Sequence, residues 1–132
     1  VNATVSIKAA INARYATAEN YGNSALVANR TAAGAWERFN VVDAGDGWVA
    51  LRSQAWGTYV TADNNGQSAL IANRSAIGEW EKFKIKYLGD SKFALQSKTN
   101  NKYVSADNKG ASPLIANRDA PGIWETFYIE RQ

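Results

Sequence analysis

The chain has 132 residues, a net charge of +3, and neither cysteine nor histidine. Without cysteine there is no disulfide, thiol nucleophile or thiolate metal site, and without histidine the commonest general base is missing. Ser/His/Asp and Cys/His hydrolase designs are therefore excluded, as is nearly every zinc site. The basic residues are scattered along the chain, so neither nucleic acid nor a membrane surface is predicted as a partner.

The length predicts one domain, 1–132, large enough to bury a single core. No apolar stretch approaches the roughly 20 residues that span a bilayer. The opening sequence VNATVSIKAA lacks the basic segment and long apolar core of a signal peptide. We expect either a cytosolic protein or an excised mature segment.

One motif occurs three times, as LVANRTAAGAWERF from Leu26, LIANRSAIGEWEKF from Leu70 and LIANRDAPGIWETF from Leu114. The copies begin 44 residues apart, which divides the chain into repeats 1–44, 45–88 and 89–132. A function carried by this motif is therefore expected three times. The identical positions are Leu26, Asn29, Arg30, Gly34, Trp36, Glu37 and Phe39, with their counterparts in the other copies.

Within each repeat, short runs of β-branched and aromatic residues alternate with Gly, Asn, Asp and Ser clusters about every 8 to 12 residues, a pattern typical of all-β sandwiches and barrels. The N-terminal strand is predicted over Thr4–Lys8, because Val1 is in register with Gly45 and Gly89. Four strands per repeat predict twelve strands and no helix. In repeat 2 the predicted strands are Trp48–Arg52, Thr58–Asp63, Ala69–Asn73 and Glu81–Tyr87.

The first and last repeats are as apolar as the middle one, whereas an open array needs polar end caps. A closed ring is therefore favoured over a solenoid or a propeller. The predicted fold is a β-trefoil with pseudo-threefold symmetry, in which six strands form a barrel and six form hairpins that cap one end.

The predicted core consists of positions that are apolar in every repeat. Half-buried tyrosines with hydroxyls bonded to the backbone, half-buried alanines and two sets of glycines with positive φ are also expected. The core positions are Val5/Val49/Phe93, Ile7/Leu51/Leu95, Leu26/Leu70/Leu114, Phe39/Phe83/Phe127 and Val41/Ile85/Ile129. The other sets are Tyr15/Tyr59/Tyr103, Ala18/Ala62/Ala106, Gly22/Gly66/Gly110 and Gly34/Gly78/Gly122.

Strand alternation places Glu37 on the inward side with Phe39 and Trp36 on the opposite side. In a purely structural interpretation, the tryptophans are core plugs and each Glu pairs with the Arg of the ANR segment. Buried Arg–Glu pairs stabilise poorly, because desolvation offsets most of the Coulomb gain. An indole beside a carboxylate instead suits a sugar, whose C–H face packs on the ring while its hydroxyls donate to the carboxylate. Arg30 then either donates to sugar oxygens or, as we favour, supports Glu37.

The segments YATAENYGNSALVANRTAAGAWERF, YVTADNNGQSALIANRSAIGEWEKF and YVSADNKGASPLIANRDAPGIWETF resemble the fascin-like β-trefoils and, more closely, carbohydrate-binding module family 92. The resemblance covers the full chain. It implies a monomeric, non-catalytic module of a secreted bacterial polysaccharide-degrading enzyme, which binds β-1,6- and β-1,3-glucans at one site per repeat. The implied sugar-binding residues are Trp36, Glu37, Trp80, Glu81, Trp124 and Glu125. The expected supporting residues are Arg30, Arg74, Arg118, Asn29, Asn73 and Asn117.

Two other functions compete with this interpretation. A small glycosidase would need Glu37 or a counterpart with a second carboxylate such as Asp43, Asp63 or Asp90. One Glu recurring in a single context does not provide the two different environments that such an enzyme requires. A protein-interaction trefoil should carry one elaborated loop, whereas all the loops are short and alike. We therefore predict no catalytic residue, no cofactor and no metal.

The repeats differ beside the Trp–Glu pair, so the three sites are expected to be unequal. Trp48 and Trp56 occur only in repeat 2, where repeats 1 and 3 have Thr4/Lys92 and Asn12/Asn100. Either tryptophan extends a sugar subsite or packs on the surface, and the sequence leaves both open. The other differences are Ala35/Glu79/Ile123 before the Trp and Tyr21/Asn65/Lys109 in the turn after the second strand.

Overall fold

A computed structural model describes residues 2–132, apart from the side chain of Tyr21. This part of the chain forms twelve strands: β1 Thr4–Ala9, β2 Arg14–Thr17, β3 Val27–Arg30, β4 Arg38–Gly45, β5 Trp48–Ser53, β6 Tyr59–Ala62, β7 Leu70–Arg74, β8 Phe83–Gly89, β9 Lys92–Ser97, β10 Tyr103–Ala106, β11 Leu114–Arg118 and β12 Phe127–Arg131. None of its helices is long and apolar enough to cross a membrane.

Six of these strands close into a barrel through antiparallel pairs, in the cyclic order β1–β4–β5–β8–β9–β12 and back to β1. Closure leaves the barrel without an exposed edge strand. The other strands form the antiparallel pairs β2–β3, β6–β7 and β10–β11. A six-stranded barrel with three hairpins is the architecture of a β-trefoil, which confirms the predicted all-β class and strand number.

The barrel interior is filled by the aromatic residue at the start of the last barrel strand of each repeat. Phe39, Phe83 and Phe127 have no exposed surface. Ile7, Leu51, Leu95 and the three hairpin leucines are also buried, as predicted. Val49, Ile85 and Ile129 are only partly buried and pack against the core. Phe93 is also half-buried, and its ring lies 5.4 Å from that of Tyr87.

The three hairpins are joined at the centre of the cap by backbone hydrogen bonds between repeats. The Leu26 N–H donates to the Leu70 carbonyl, and the Leu114 N–H donates to the Leu26 carbonyl, both at 2.8 Å. The leucine side chains beneath these bonds are almost fully buried. Each repeat therefore depends on its neighbours for its core and for its backbone hydrogen bonds.

The absence of helix was predicted wrongly. Residues 2–132 contain six single turns of 3-10 helix, in two sets. We call Ala35–Glu37, Glu79–Glu81 and Ile123–Glu125 the Trp turns, and Asn20–Gly22, Asn64–Gly66 and Asn108–Gly110 the Gly turns. Glu81 was expected to begin a strand, but it ends a Trp turn, and β8 begins at Phe83.

Only one of the two glycine sets has positive φ. Gly22, Gly66 and Gly110 have φ between +80° and +90°, as predicted. In contrast, Gly34, Gly78 and Gly122 have φ of −94°, −114° and −104°. Their prediction was wrong, because these residues are extended N-caps of the Trp turns rather than left-handed turn residues.

Two side-chain expectations also need correction. Ala18, Ala62 and Ala106 are fully buried rather than half-buried. The Tyr15 hydroxyl donates to Glu130 Oε1 at 2.8 Å, and the Tyr103 hydroxyl accepts from Lys86 Nζ at 3.0 Å. These partners are side chains of barrel strands, where a backbone partner was expected. The hydrogen bond from Tyr15 to Glu130 raises the pKa of that phenol above its ordinary value.

We predict that Gly66→Ala destabilises the protein more than Gly89→Ala. Both glycines have φ near +90°, a conformation that costs an L-residue about 1 to 2 kcal/mol. A Cβ at Gly66 would lie 2.1 Å from Asn100 Nδ2, whereas a Cβ at Gly89 meets nothing within 4 Å. Displacing Asn100 also breaks its bond to the Ala116 carbonyl, which adds about 1 kcal/mol.

Urea unfolding followed by tryptophan fluorescence measures both variants. Gly89→Ala serves as the control for the backbone term alone. Equal losses of unfolding free energy would show that the contact between repeats 2 and 3 at Gly66 is not tight.

Candidate functional site

The structure presents a tryptophan at the middle of each Trp turn, just before a barrel strand begins. Trp36 is 41% exposed, and Trp80 and Trp124 are half-buried. The core-plug interpretation therefore does not hold for these residues. The predicted sidedness, with Trp outward and Glu inward, is present, but a 3-10 turn produces it rather than strand alternation.

The glutamate that ends each Trp turn is buried and holds the turn together. Oε1 of Glu37, Glu81 and Glu125 accepts a hydrogen bond from the backbone N–H of the glycine three residues earlier, at 2.8, 2.6 and 2.8 Å. The glutamate N–H donates back to the same glycine's carbonyl at 3.1 to 3.2 Å. This reciprocal pair resembles a capping box. It fixes the turn and, with it, the adjacent indole.

The second carboxylate oxygen has a different environment in each repeat. Thr17 Oγ1 donates to Glu37 Oε2 at 2.6 Å. The counterparts Thr61 and Ser105 are buried, and their hydroxyls have no hydrogen-bond partner among the described residues. In repeat 3, Arg118 Nε lies 3.9 Å from Glu125 Oε2, too far for a hydrogen bond.

The arginines of the ANR segments pair mainly with another acidic residue. Arg30 pairs with Glu19, while Arg74 and Arg118 pair with Asp63 and Asp107 at 2.7 and 2.8 Å. The structural alternative of an Arg–Glu staple is thus not realised in repeats 1 and 2. Each arginine also donates to the adjacent Asn, through Asn29, Asn73 and Asn117 Oδ1. These ion pairs connect the third strand of each repeat to the residue beside its Gly turn, and partial exposure limits each to about 1 kcal/mol.

The surroundings of the three tryptophans, which we call sites 1, 2 and 3 in chain order, are not equal. The Trp36 and Trp56 rings of site 1 have centroids 5.7 Å apart and planes inclined by 46°. In site 2, Trp80 Nε1 donates to Asn65 Oδ1 at 2.7 Å, and Thr99 Oγ1 donates to the same oxygen at 2.8 Å. Sites 1 and 2 therefore each include a residue from the following repeat.

In site 3, the Arg118 guanidinium lies 5.9 Å from the centre of the Trp124 ring. A cation at this distance from an indole is weakly attracted by the ring quadrupole. The residue before the tryptophan is Ile123, which is 62% exposed and adds apolar surface. Site 3 thus differs from site 2, where the corresponding residue is charged.

The corresponding residue in site 2 is Glu79, which accepts from Lys98 Nζ at 2.6 Å and from Lys82 Nζ at 3.3 Å. The Lys98 bond first, and then the Lys82 bond, lower the pKa of Glu79 below its ordinary value. Trp48 lies nearby on β5, with Lys84 Nζ 4.4 Å and Lys98 Nζ 5.6 Å from its ring centre. Site 2 therefore has a charged border, and at the position of Glu79 site 1 has Ala35 instead.

A cleft of about 260 Å³ lies between the Gly turn of repeat 3 and the hairpin of repeat 1. None of the three tryptophans lines this cleft. No group of three or more acidic, His or Cys side chains able to hold a metal occurs among the described residues. The cleft is lined by Asn12, Arg14, Ala28, Asn29, Lys109, Gly110 and Ala111.

The fold and the repeated surface indoles define a β-trefoil domain with three related candidate sites. A family model described as a domain of unknown function, DUF7910, matches residues 43–132, more than half of the chain, and the chain belongs to this family. The more specific resemblance to carbohydrate-binding module family 92 stays a prediction. No curated protein matches the sequence.

Solved structures share the fold at low sequence identity. ThreeFoil, a designed threefold symmetric protein, is 18% identical with a TM-score of 0.84, covering 96% of this chain and 97% of its own. A ricin B-like lectin from Macrolepiota procera, solved with lactose, is 15% identical with a TM-score of 0.83, covering 99% and 96%. An exo-β-1,3-galactanase from Clostridium thermocellum is 14% identical with a TM-score of 0.88, covering 100% and 31%. At these identities the likeness shows the fold alone.

We predict that Glu81→Ala lowers the free energy of unfolding by about 1.5 to 3 kcal/mol, because the Gly78 N–H loses a charged acceptor. Glu81→Gln retains a neutral acceptor and should recover roughly half of that loss. Urea unfolding measures both variants. The matched control is Glu79→Ala in the same turn, which removes an exposed carboxylate and should change stability little. If Glu81→Ala were as mild as the control, the carboxylate would not hold the turn.

Proposed function

We propose that the domain binds carbohydrate without catalysis, through Trp36, Trp80 and Trp124 at one site per repeat. The observation that carries this proposal is the indole held at the surface in the same turn of every repeat, with a buried glutamate fixing that turn. An indole offers a flat apolar face to the C–H groups of a sugar ring. A fixed ring also loses little conformational entropy when the ligand binds.

The glutamates have a double role in this proposal. Oε1 fixes the turn, and Oε2 of Glu81 and Glu125 is the acceptor that we assign to a sugar hydroxyl. Charge-assisted bonds of this kind are about twice as strong as neutral ones. In site 1, Thr17 already donates to Glu37 Oε2, so that oxygen retains less capacity for a ligand.

We also propose that the ligand is a β-glucan with β-1,6 or β-1,3 linkages, and that the domain is a secreted, monomeric module attached to a glycoside hydrolase. The sequence resemblance is the main support for this. The tryptophans are partly exposed and none lines the described cleft, which is more compatible with a long saccharide chain than with an enclosed monosaccharide. In addition, the galactanase that shares this fold does so over only 31% of its length, so a trefoil of this shape occurs as part of a larger enzyme.

Each site alone should bind weakly. One indole stack contributes about 0.5 to 1.5 kcal/mol beyond buried area, and each hydroxyl hydrogen bond adds about 1 kcal/mol. The resulting affinity is near the millimolar range, or about −4 kcal/mol. On a polysaccharide the remaining sites bind at high effective concentration, and avidity exceeds single-site affinity by about 10² or more.

Trp36→Ala, Trp80→Ala and Trp124→Ala should each remove one oligosaccharide site. Retention on insoluble β-glucan should survive any single change and be lost in the triple variant. Isothermal titration with a short β-glucan oligosaccharide and a pull-down measure the two effects. The control is Tyr87→Ala, which removes a 66% exposed aromatic ring outside the Trp turns and should change neither. A stoichiometry of one that a single Trp change abolishes would contradict the trivalent model.

Incubation with β-1,3-, β-1,6- and mixed-linkage glucans should release no reducing ends. The physical reason is that each Trp turn offers one buried carboxylate in the same structural role, whereas glycosidases need two carboxylates in different environments. A reducing-sugar assay makes the measurement, with Glu81→Gln as the comparison. Product that forms with the native chain and disappears in this variant would support the glycosidase alternative.

A further inference from the structure

Trp56 occupies a position that has a structural role in the other two repeats. The counterparts Asn12 and Asn100 each donate from Nδ2 to a carbonyl of the same repeat's hairpin, Ala28 and Ala116, at 2.9 Å. In repeat 2 the corresponding carbonyl, that of Ala72, accepts instead from Thr58 Oγ1 at 2.6 Å. Thr58 thus supplies the hydrogen bond that the asparagine makes elsewhere, and the Trp56 side chain makes different contacts.

The Trp56 ring lies in repeat 1's site rather than its own. Its Nε1 donates to the Ala18 carbonyl of repeat 1 at 2.7 Å, and part of its surface packs against the core. These contacts fix the ring beside Trp36, at a centroid distance of 5.7 Å and an inclination of 46°. Two indoles in this arrangement form an angled apolar corner. They are too close to sandwich a sugar and too inclined to act as one flat platform.

We propose that Trp36 and Trp56 together form a composite sugar subsite that takes two neighbouring residues of one saccharide chain, one on each indole. This inference rests on the proposed carbohydrate-binding function and deepens it. The inclination favours linkages that turn one sugar ring relative to the next, and it disfavours a flat ribbon. Because sites 2 and 3 have Asn100 and Asn12 in place of a second indole, site 1 is the tightest of the three for a disaccharide. A second stack increases affinity by about 2- to 10-fold.

The test uses the full chain, with the indole N–H signals of Trp36, Trp80 and Trp124 followed by NMR during titration. Each signal reports the dissociation constant of its own site. The probes are gentiobiose, a β-1,6-linked disaccharide, and methyl β-D-glucoside, which fills only one ring position. In the native chain, site 1 should bind gentiobiose about 2- to 10-fold more tightly than sites 2 and 3. With methyl β-D-glucoside this advantage should disappear.

The first variant is Trp56→Asn, which introduces the residue found in the other repeats. It should lower the affinity of site 1 for gentiobiose to that of the other sites and leave methyl β-D-glucoside binding unchanged. Equal losses for both probes would overturn the proposal, because Trp56 would then only hold Trp36 in place. Three equal affinities for gentiobiose in the native chain would overturn it as well.

The second variant transplants the pair, as Asn100→Trp with Lys102→Thr, and keeps the proposal testable if Trp56→Asn fails to fold. The new tryptophan should raise the affinity of site 2 for gentiobiose about 2- to 10-fold, whereas Lys102→Thr alone should not. No gain at site 2 in a folded variant would overturn the proposal. If none of the three signals moves with any sugar, glucan binding itself is wrong; unequal sites without the predicted variant effects would reject only the composite subsite.

Discussion

The hydrogen bond from a glycine N–H to a buried carboxylate is the interaction on which each repeat depends. It closes the Trp turn, and the turn determines the directions of two side chains, one before the glutamate and one after it. The tryptophan before Glu81 points to the surface, while Phe83, two residues after it, enters the barrel core. A buried carboxylate is costly unless it accepts good hydrogen bonds. The glycine N–H provides one in every repeat, which accounts for the glutamate without an Arg–Glu staple.

The same turn couples stability to the proposed site. A surface indole on a flexible loop would lose conformational freedom on binding, whereas one in a capped turn loses little. The turn is short because the glutamate folds back onto its own N-cap, so little backbone can move independently. The position of the indole therefore follows from the interaction that begins the barrel strand. Fold and site share residues, and a change in the glutamate affects both.

Two differences among the sites arise where repeats meet. Trp56 reaches from repeat 2 into site 1, and Thr99 reaches from repeat 3 toward the partner of Trp80. The pseudo-threefold symmetry of the fold gives every site a similar backbone. One side chain from the next repeat then changes the surroundings of the tryptophan. Trp56 also shows how a repeat tolerates such a change, since Thr58 supplies the hydrogen bond that asparagine makes elsewhere. The surroundings of a surface tryptophan can thus vary while the hydrogen bond to the hairpin carbonyl is kept.

The sequence alone determined the architecture, because both the 44-residue repeat, which occurs three times, and the alternation of residues within strands can be read directly from the chain. They were sufficient for the twelve strands, the buried Phe39 and Leu26 with their counterparts, and the positive φ of Gly66. Sequence alternation also placed Glu37 inward and Trp36 outward, although the Trp turn that achieves this was not predicted. A single 3-10 turn has no periodic pattern to recognise.

The tertiary structure decided which side chains and backbone groups contact one another. From the sequence, Glu81 was the expected partner of Arg74, whereas the hairpin geometry pairs Arg74 with Asp63. The backbone of Gly78 is extended, and its N–H donates to the carboxylate of Glu81, three residues later. The presence of a glycine at this position does not by itself reveal that conformation. Trp56 meets Trp36 across a repeat boundary, 20 positions along the chain. Such contacts depend on how whole repeats are placed against one another, and so they exist only once the barrel has closed.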